Sequence, residues 1–388
     1  MNILIYRWKV FNQQDIKEAF EYFGHKVEYY EEPVKVIDEA GHRYHNINEL
    51  TRIFGEYDII FSVNYFTHVS DLCEKLGKKY VSWTVDSPLI TMYNRSIFNQ
   101  CNYCFVFDKY YYYQFKGMKV KHVYYLPLAV NAMRIQKMLA GCAESDLEKY
   151  SGEISFVGSL YHRNSYDKIK DKLTPYLRGY FDAVMNAQLN IYGDNIMENM
   201  LNVDILSKLM EITDFKQDED AFSDISLVFS STFLGFKLAS MERIKALNLL
   251  AKKHQVKLYS DEEDDELINV NHCGSVSYME AMPKVFNKSA INMNFTIRNI
   301  RTGIPLRAWD VLGAGGFLLT NFQTELTEYF ENGKDIVFYE SLDDMEQKAD
   351  YYMAHEDERI SIANNGLKNV MEKHSYIDRV EKILQKLQ

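Results

Sequence analysis

The chain has 388 residues, 47% of them hydrophobic and 26% charged. That composition supports a large core and excludes global disorder, and at roughly 150 residues per domain the length fits two domains or three. With 44 Lys and Arg against 55 Asp and Glu the net charge is −11, which argues against a general nucleic-acid binder, because neutralising phosphates needs clustered positive charge.

No window approaches the roughly 18 uncharged apolar residues of a membrane span. The stretch Leu227–Phe236 is flanked by Asp224 and Lys237. The start, Met-Asn-Ile-Leu-Ile-Tyr-Arg-Trp-Lys, has too short an apolar run and no cleavage signal for a secretory leader. A soluble cytoplasmic protein is expected. Five scattered cysteines do not make a disulfide framework. Cys101 and Cys104 form a single CxxC without a second ligand pair, so they read as small hydrophobes leading into Phe105–Phe107.

Along the chain, short apolar runs alternate with amphipathic stretches. Asn2–Tyr6 reads as a strand and Gln13–Phe23 as a helix, with Ile16, Ala19, Phe20 and Phe23 at helical spacing. Asp58–Val63, Tyr80–Val85, Tyr103–Phe107 and His122–Leu126 read as further strands. Fully apolar strands separated by helices predict a parallel sheet covered on both faces. A polar hinge over 131–152 follows a first domain of 1–130. A second series then predicts strands at Ile154–Val157, Leu189–Tyr192, Val256–Tyr259, His272–Val276, Ala290–Asn294, Phe317–Thr320 and Ile336–Tyr339. This second domain, 153–374, carries a helical insertion over about 195–253. An amphipathic helix at 375–388 is expected to return to the first domain. Open α/β sheets bind ligands at the carboxyl ends of their strands. Two such domains facing one cleft would take one substrate each.

The residues richest in chemistry lie in Asn292–Asn321. A strand ends at Asn294, a loop carries Arg298 and Arg301, and Gly303-Ile304-Pro305 reads as a helix start with Pro305 at the first helical position. A helix start offers free amides and partial positive charge to a phosphate. Arg307 lies in that first turn, and Asp310 follows on the same face. The pair reads equally as a ribose and phosphate site or as an ordinary i,i+3 ion pair. Gly313-Ala314-Gly315-Gly316 closes the helix and precedes a strand. It is therefore a C-cap and turn, not a dinucleotide fingerprint, which must follow a strand and open a helix. The run Asp261–Glu266 reads as a solvated loop rather than a metal cluster, because adjacent acids repel.

The order Arg307, a carboxylate three residues on, a glycine five residues later and then Phe317-Leu318-Leu319-Thr320 resembles the R-x-x-E-x-x-x-x-G signature of group 1 GT-B glycosyltransferases. The likeness is greatest to the CgeB-like spore maturation branch. Supporting pieces are Ser155-Phe156-Val157-Gly158-Ser159 with Arg163, His272-Cys273-Gly274-Ser275-Val276 with Tyr278, Met282–Phe286, and His355 through Arg359. In the first half they are Ser82–Pro88, Phe105–Asp108 and Leu126–Val130.

The resemblance implies a GT-B architecture, two Rossmann-like domains about a central cleft, and a nucleotide-diphosphate sugar, with UDP-sugar favoured, bound to the second domain without a metal. It places Gly158, Ser159 and Arg163 at the diphosphate and His272, Gly274 and Ser275 at the nucleobase, with Tyr278 stacking. Asp310 stands where the family has a ribose-binding glutamate. Asn294, Arg298, Arg301, Ile304 and Arg307 complete the donor site. The family's paired-glutamate motif would put its first glutamate at Thr302, where it is absent. The acceptor implied is a protein, cell-surface or spore-coat glycan. On the acceptor side the candidates are Arg7, Trp8, Lys9, Asn64, Tyr65 and Asp86. Asp86 serves as general base or, equally, as the cap of the turn before Pro88. His68 and His122 read as structural. Two other functions stay open: a nucleotide-sugar-binding protein without turnover, which Thr302 favours, and a GT-B-fold nucleotide-sugar epimerase.

Overall fold

The computed structural model describes residues 1–8, 10–31, 36–37, 43–44 and 46–388, so Lys9 lies outside the described residues. The chain forms two units. Unit 1 comprises Met1–Leu128, Asp218–Ser223 and Tyr376–Gln388; unit 2 comprises Ala129–Gln217 and Asp224–Ser375.

Unit 1 contains β1 (Asn2–Arg7), β2 (Lys26–Glu31), β3 (Val36–Ile37), β4 (Arg43–Tyr44), β5 (Ile59–Val63), β6 (Lys79–Trp83), β7 (Asn102–Val106) and β8 (Val123–Tyr125). Its six-stranded sheet runs β2-β1-β5-β6-β7-β8, parallel throughout. The central β5, Ile-Ile-Phe-Ser-Val, is buried at every position, as a strand covered by helices on both faces requires. The edge strand β2, Lys-Val-Glu-Tyr-Tyr-Glu, is only partly buried. Strand order reverses between β1 and β5, so the crevice between their carboxyl ends, at Trp8 and Asn64, is this sheet's natural ligand position. The segment Asp218–Ser223 is tied in by the backbone bonds Phe222 N to Tyr93 O (2.8 Å) and Arg95 N to Asp220 O (2.9 Å).

Unit 2 contains β9 (Gly152–Val157), β10 (Val256–Tyr259), β11 (Val270–His272), β12 (Ser289–Asn294), β13 (Leu318–Asn321) and β14 (Val337–Tyr339). The order is β11-β10-β9-β12-β13-β14, again parallel, with Met293 opposite Phe156. This is the Rossmann order, and its reversal falls between β9 and β12. Its core gathers Ile154, Phe156, Leu258, Ile291, Met293 and Leu319.

Everything between β9 and β10 is helical or irregular. The expected strand at Leu189–Tyr192 is not one. Leu189 is the last residue of the helix Pro175–Leu189, which Asn190 caps. The Gln188 amide then holds the carbonyls of Ile191 and Asp194 (3.1 and 2.9 Å). The inserted helices share a separate core that includes Phe181, Met185, Leu209, Phe233 and Leu238. The long helical run ending in Gly235–Leu250 passes through a π-helical turn at Ser230–Leu234. Asn299, from the loop after β12, donates its amide to Ser231 O (2.9 Å). Gly235 makes room for it, since a Cβ there would stand 2.0 Å from Asn299 Oδ1.

Candidate functional site

Two structural features of unit 2 converge on the expected donor residues. The first is the turn after β9. Gly158 N donates to Tyr259 O (3.1 Å), which sets the turn level with the end of β10. Ser159 Oγ and Leu160 N both donate to Glu262 Oε2 (2.6 and 2.5 Å), and Tyr161 N donates back to Ser159 Oγ (2.9 Å). His162 Nδ1 lies 2.8 Å from Asp264 Oδ2. The acidic run is therefore not merely a solvated loop. Two of its carboxylates cap the turn, since a carboxylate is the strongest acceptor available for turn N–H and O–H groups. Arg163 follows, exposed to solvent.

The second is the helix Leu306–Gly313. Pro305 occupies its N-cap with extended geometry instead of its first turn. Asp310 is buried, its side chain 4% exposed, and its Oδ2 lies 3.7 Å from Arg307 Nη1. Tyr278, from the loop after β11, donates its hydroxyl to Asp310 Oδ1 at 2.9 Å. Three expected residues, 32 positions apart at their extremes, thus meet at one point. The Arg307 guanidinium sits 5.5 Å over the Phe286 ring and also touches Met282 Sδ. In the β11 loop Gly274 takes φ +71°, a conformation that favours glycine. His272 Nε2 lies 3.0 Å from Ser260 O and its Nδ1 3.3 Å from Glu263. Ile304 is buried, and its carbonyl accepts from Trp309 Nε1 (3.4 Å).

Other expected ligands are committed elsewhere. The Arg298 guanidinium is buried in a bidentate pair with Glu242 (3.0 and 3.2 Å), with its Nε on Ile191 O. Burial works against its charge, but Glu242, with Tyr192 and Tyr339 beside it, leaves its pKa raised. Arg301 is nearly buried and pairs with Asp194 (3.0 Å) and Glu198 (3.8 Å). Asn294 spends its amide on Thr296 and Thr320 hydroxyls (2.9 and 2.8 Å). These three residues hold the loops after β12 and β13 in place; buried polar groups are satisfied from within. Thr302 Oγ1 donates to Glu325 Oε1 (2.7 Å), so a carboxylate from the segment after β13 reaches the place where the sequence motif lacks one. Glu325 was not singled out in the sequence, and Glu262 was read there only as part of a solvated acidic run. Each arrives through tertiary packing and carries no local signature.

In unit 1, Asn64 closes the crevice. It adopts φ +63°, and its Oδ1 accepts from Val85 N (2.8 Å) and Asp86 N (3.3 Å) while its amide donates to Asp86 Oδ2 (2.6 Å). Asp86 is exposed at its edge, but protein packed about its carboxyl raises its pKa, and the Asn64 hydrogen bond opposes this. Trp8 Nε1 donates to Val63 O (2.7 Å), and Arg7 pairs with Glu31. Tyr65 faces the interior, its hydroxyl on Ser96 (2.9 Å). His68 meets the Tyr6 hydroxyl (3.2 Å), and His122 stacks on Tyr103.

Among the described residues no group of three or more His, Cys, Asp or Glu is placed to hold a metal ion, and no helix is long and apolar enough to cross a membrane.

Solved structures share this architecture over nearly the whole chain. HepE of Anabaena in complex with UDP-glucose is similar at TM-score 0.55 and 10% identity, over 100% of this chain and 99% of that one. An alpha-glucosyltransferase in complex with UDP-glucose and DNA containing an abasic site gives 0.55 at 8% identity, over 99% and 98%. Sucrose-phosphate synthase from Thermosynechococcus elongatus gives 0.53 at 8%, over 100% and 99%. At such identities the likeness establishes the fold, and the fold is that of the GT-B glycosyltransferases. Within the chain, residues 241–385 match the family described as "Glycosyl transferase-like". No curated protein matches the chain.

Proposed function

We propose that the chain is a glycosyltransferase that moves a sugar from a nucleotide-diphosphate sugar on unit 2 to an acceptor hydroxyl on unit 1. The observation that carries this reading is the meeting of Tyr278, Asp310 and Arg307 at the start of the helix Leu306–Gly313, inside the segment that matches the glycosyltransferase family. Asp310 offers carboxylate oxygens to ribose hydroxyls. Arg307 and the first-turn amides offer positive charge to the diphosphate. As the glycosidic bond breaks, negative charge grows on the leaving phosphate oxygen. Groups aimed at it bind the transition state more tightly than the ground state. We assign that role to Arg307 and the helix amides in place of a metal, and the role of base toward the acceptor to Asp86. UDP-sugars are the first donors to test, because HepE and the alpha-glucosyltransferase of like fold were both solved with UDP-glucose. The acceptor class remains the protein, cell-surface or spore-coat glycan of the CgeB-like branch, modified in the cytoplasm.

Thr302 favours a second reading, a donor-binding protein without turnover. Glu325 favours the first, because its carboxylate is already bonded to the Thr302 hydroxyl. The test is thermal unfolding with UDP-, GDP-, dTDP- and CMP-sugars and their free nucleotides. A ligand at 100 times its Kd adds about 2.7 kcal/mol, which raises the midpoint by roughly 5–10 °C for a unit of this size. A shift confined to one base names the donor. Sugar transfer or release with EDTA present supports the enzyme. A shift without sugar transfer or release supports the binding protein, and conversion of the free donor to an epimer overturns both. No shift with any nucleotide removes the donor reading.

A further inference from the structure

Arg243 lies on the helix Gly235–Leu250, whose residues are buried on nearly every side. Its guanidinium spans the strand reversal of unit 2. One Nη donates to Ser159 O, beyond the end of β9, and Nη2 donates to Phe295 O (2.9 Å), just beyond β12. The Phe156 and Tyr161 rings lie 5.2 and 4.6 Å from its central carbon. Arg243 is 7% exposed, and its Nε has no hydrogen-bond partner. Among the described residues no carboxylate comes within ion-pair distance of it. The neighbouring acids are already matched: Glu242 is paired with Arg298, and Glu262 accepts from Ser159 Oγ and Leu160 N.

A buried cation without a counter-charge is costly, and proteins rarely keep one that nothing else compensates. This one sits beneath the crevice where a doubly wound sheet takes its ligand. Both carbonyls that flank the crevice accept from the guanidinium, and neither carries a full charge, so its positive field is not cancelled. In a poorly solvated site that field acts over several ångströms.

We propose that Arg243 is the counter-charge of the donor's diphosphate. It is a positioning residue: it acts through its field and through the peptides at Ser159 and Phe295, without touching phosphate. This inference rests on the donor reading above and adds to it a residue far from the Arg307 helix in sequence.

The test compares the wild-type chain with Arg243→Met and Arg243→Lys. Calorimetry gives the affinities for UDP, UMP and uridine, with the corresponding series of another base if the nucleotide panel selects it. In Arg243→Met the expected losses grow with phosphate number. They are negligible for the nucleoside and about tenfold or more for the diphosphate, the order expected of two charges several ångströms apart in a poorly solvated site. Arg243→Lys, which keeps the charge and loses the fork, recovers most of the diphosphate affinity. An equal loss for nucleoside and diphosphate, or a Lys variant as weak as Met, makes the residue merely structural and overturns the proposal. If the Met variant does not fold, the Lys variant decides alone: diphosphate affinity near wild type upholds the proposal, and affinity no better than that for the nucleoside overturns it. A wild type that binds UDP beside an unimpaired Met variant removes this inference only. A wild type that binds no nucleotide removes the donor reading as well.

Discussion

Arg307 and Asp310 form an i,i+3 pair at 3.7 Å, which by itself is a weak interaction on a helix. The interest of the pair lies in Asp310's near-complete burial with the Tyr278 hydroxyl on its other oxygen. On the proposed donor reading, removing Arg307 deletes charge-assisted hydrogen bonds to a diphosphate worth about 1.5–3 kcal/mol. Arg307→Ala is therefore expected to weaken nucleotide binding by about 10–100-fold, measured by calorimetry on folded protein. Unchanged affinity would take Arg307 out of the site. Asp86 gives a prediction of different form. Its raised pKa means that the folded protein holds the proton more tightly than the unfolded chain does. The ionised form is then reached only above the ordinary carboxylate range, and stability declines as pH rises through that interval. If Asp86 is the base, transfer falls as pH drops through the raised pKa. Asp86→Asn should abolish that acid limb and most of the transfer while donor affinity stays intact. Its stability at neutral pH should equal or exceed that of wild type. A pH–rate profile that keeps its acid limb in the variant would sink the assignment.

The helix Gly235–Leu250 joins the inserted helices to the sheet of unit 2 through one charge pair, Glu242 with Arg298, both side chains under 5% exposed. Breaking a buried pair strands the surviving charge at a cost of about 3–5 kcal/mol. Glu242→Gln is thus expected to lower the melting midpoint of unit 2 by roughly 6–20 °C, whereas Glu242→Met with Arg298→Met should recover most of the loss. Calorimetry of the three variants checks this, and a double variant no better than the single would assign the loss to packing. The same helix marks the limit of what the sequence discloses. Strands β5, β6, β9 and β13 are legible because strands buried on both faces are short, mostly apolar runs. β2 carries Lys26, Glu28 and Glu31 and reads as nothing, since an edge strand need not be apolar. Leu189–Tyr192 mimics a strand because a helix end and the loop that follows it are both apolar. Tyr278, Asp310 and Arg307 were visible through a motif. Arg298 was visible too, but its type alone could not tell a ligand from a buried structural pair. Glu262 reaches Ser159 across 103 positions, a contact that no local pattern encodes.

The chain passes between its two units four times, at Leu128–Ala129, Gln217–Asp218, Ser223–Asp224 and Ser375–Tyr376. Unit 1 is therefore incomplete without residues 376–388. The helix Tyr376–Leu387 buries Tyr376, Arg379, Val380, Ile383 and Leu387. The Tyr376 ring lies against Trp83 at 5.9 Å, and Arg379 Nε donates to Pro127 O (2.9 Å) at the end of the segment that follows β8. Each buried aliphatic side chain is worth about 1.5–3 kcal/mol, so Val380, Ile383 and Leu387 together approach the 5–15 kcal/mol that stabilises a whole domain. A chain ending at Ser375 is therefore expected to lose the cooperative unfolding of unit 1. Unit 2, which contains Arg243, Tyr278, Arg307 and Asp310, should keep its own transition and, on the proposed donor reading, its affinity for nucleotide. Calorimetry with and without UDP separates the two. A single transition at the wild-type midpoint would show the terminal helix to be dispensable. Loss of nucleotide binding together with unit 1 would mean that the donor residues depend on more than the unit that holds them.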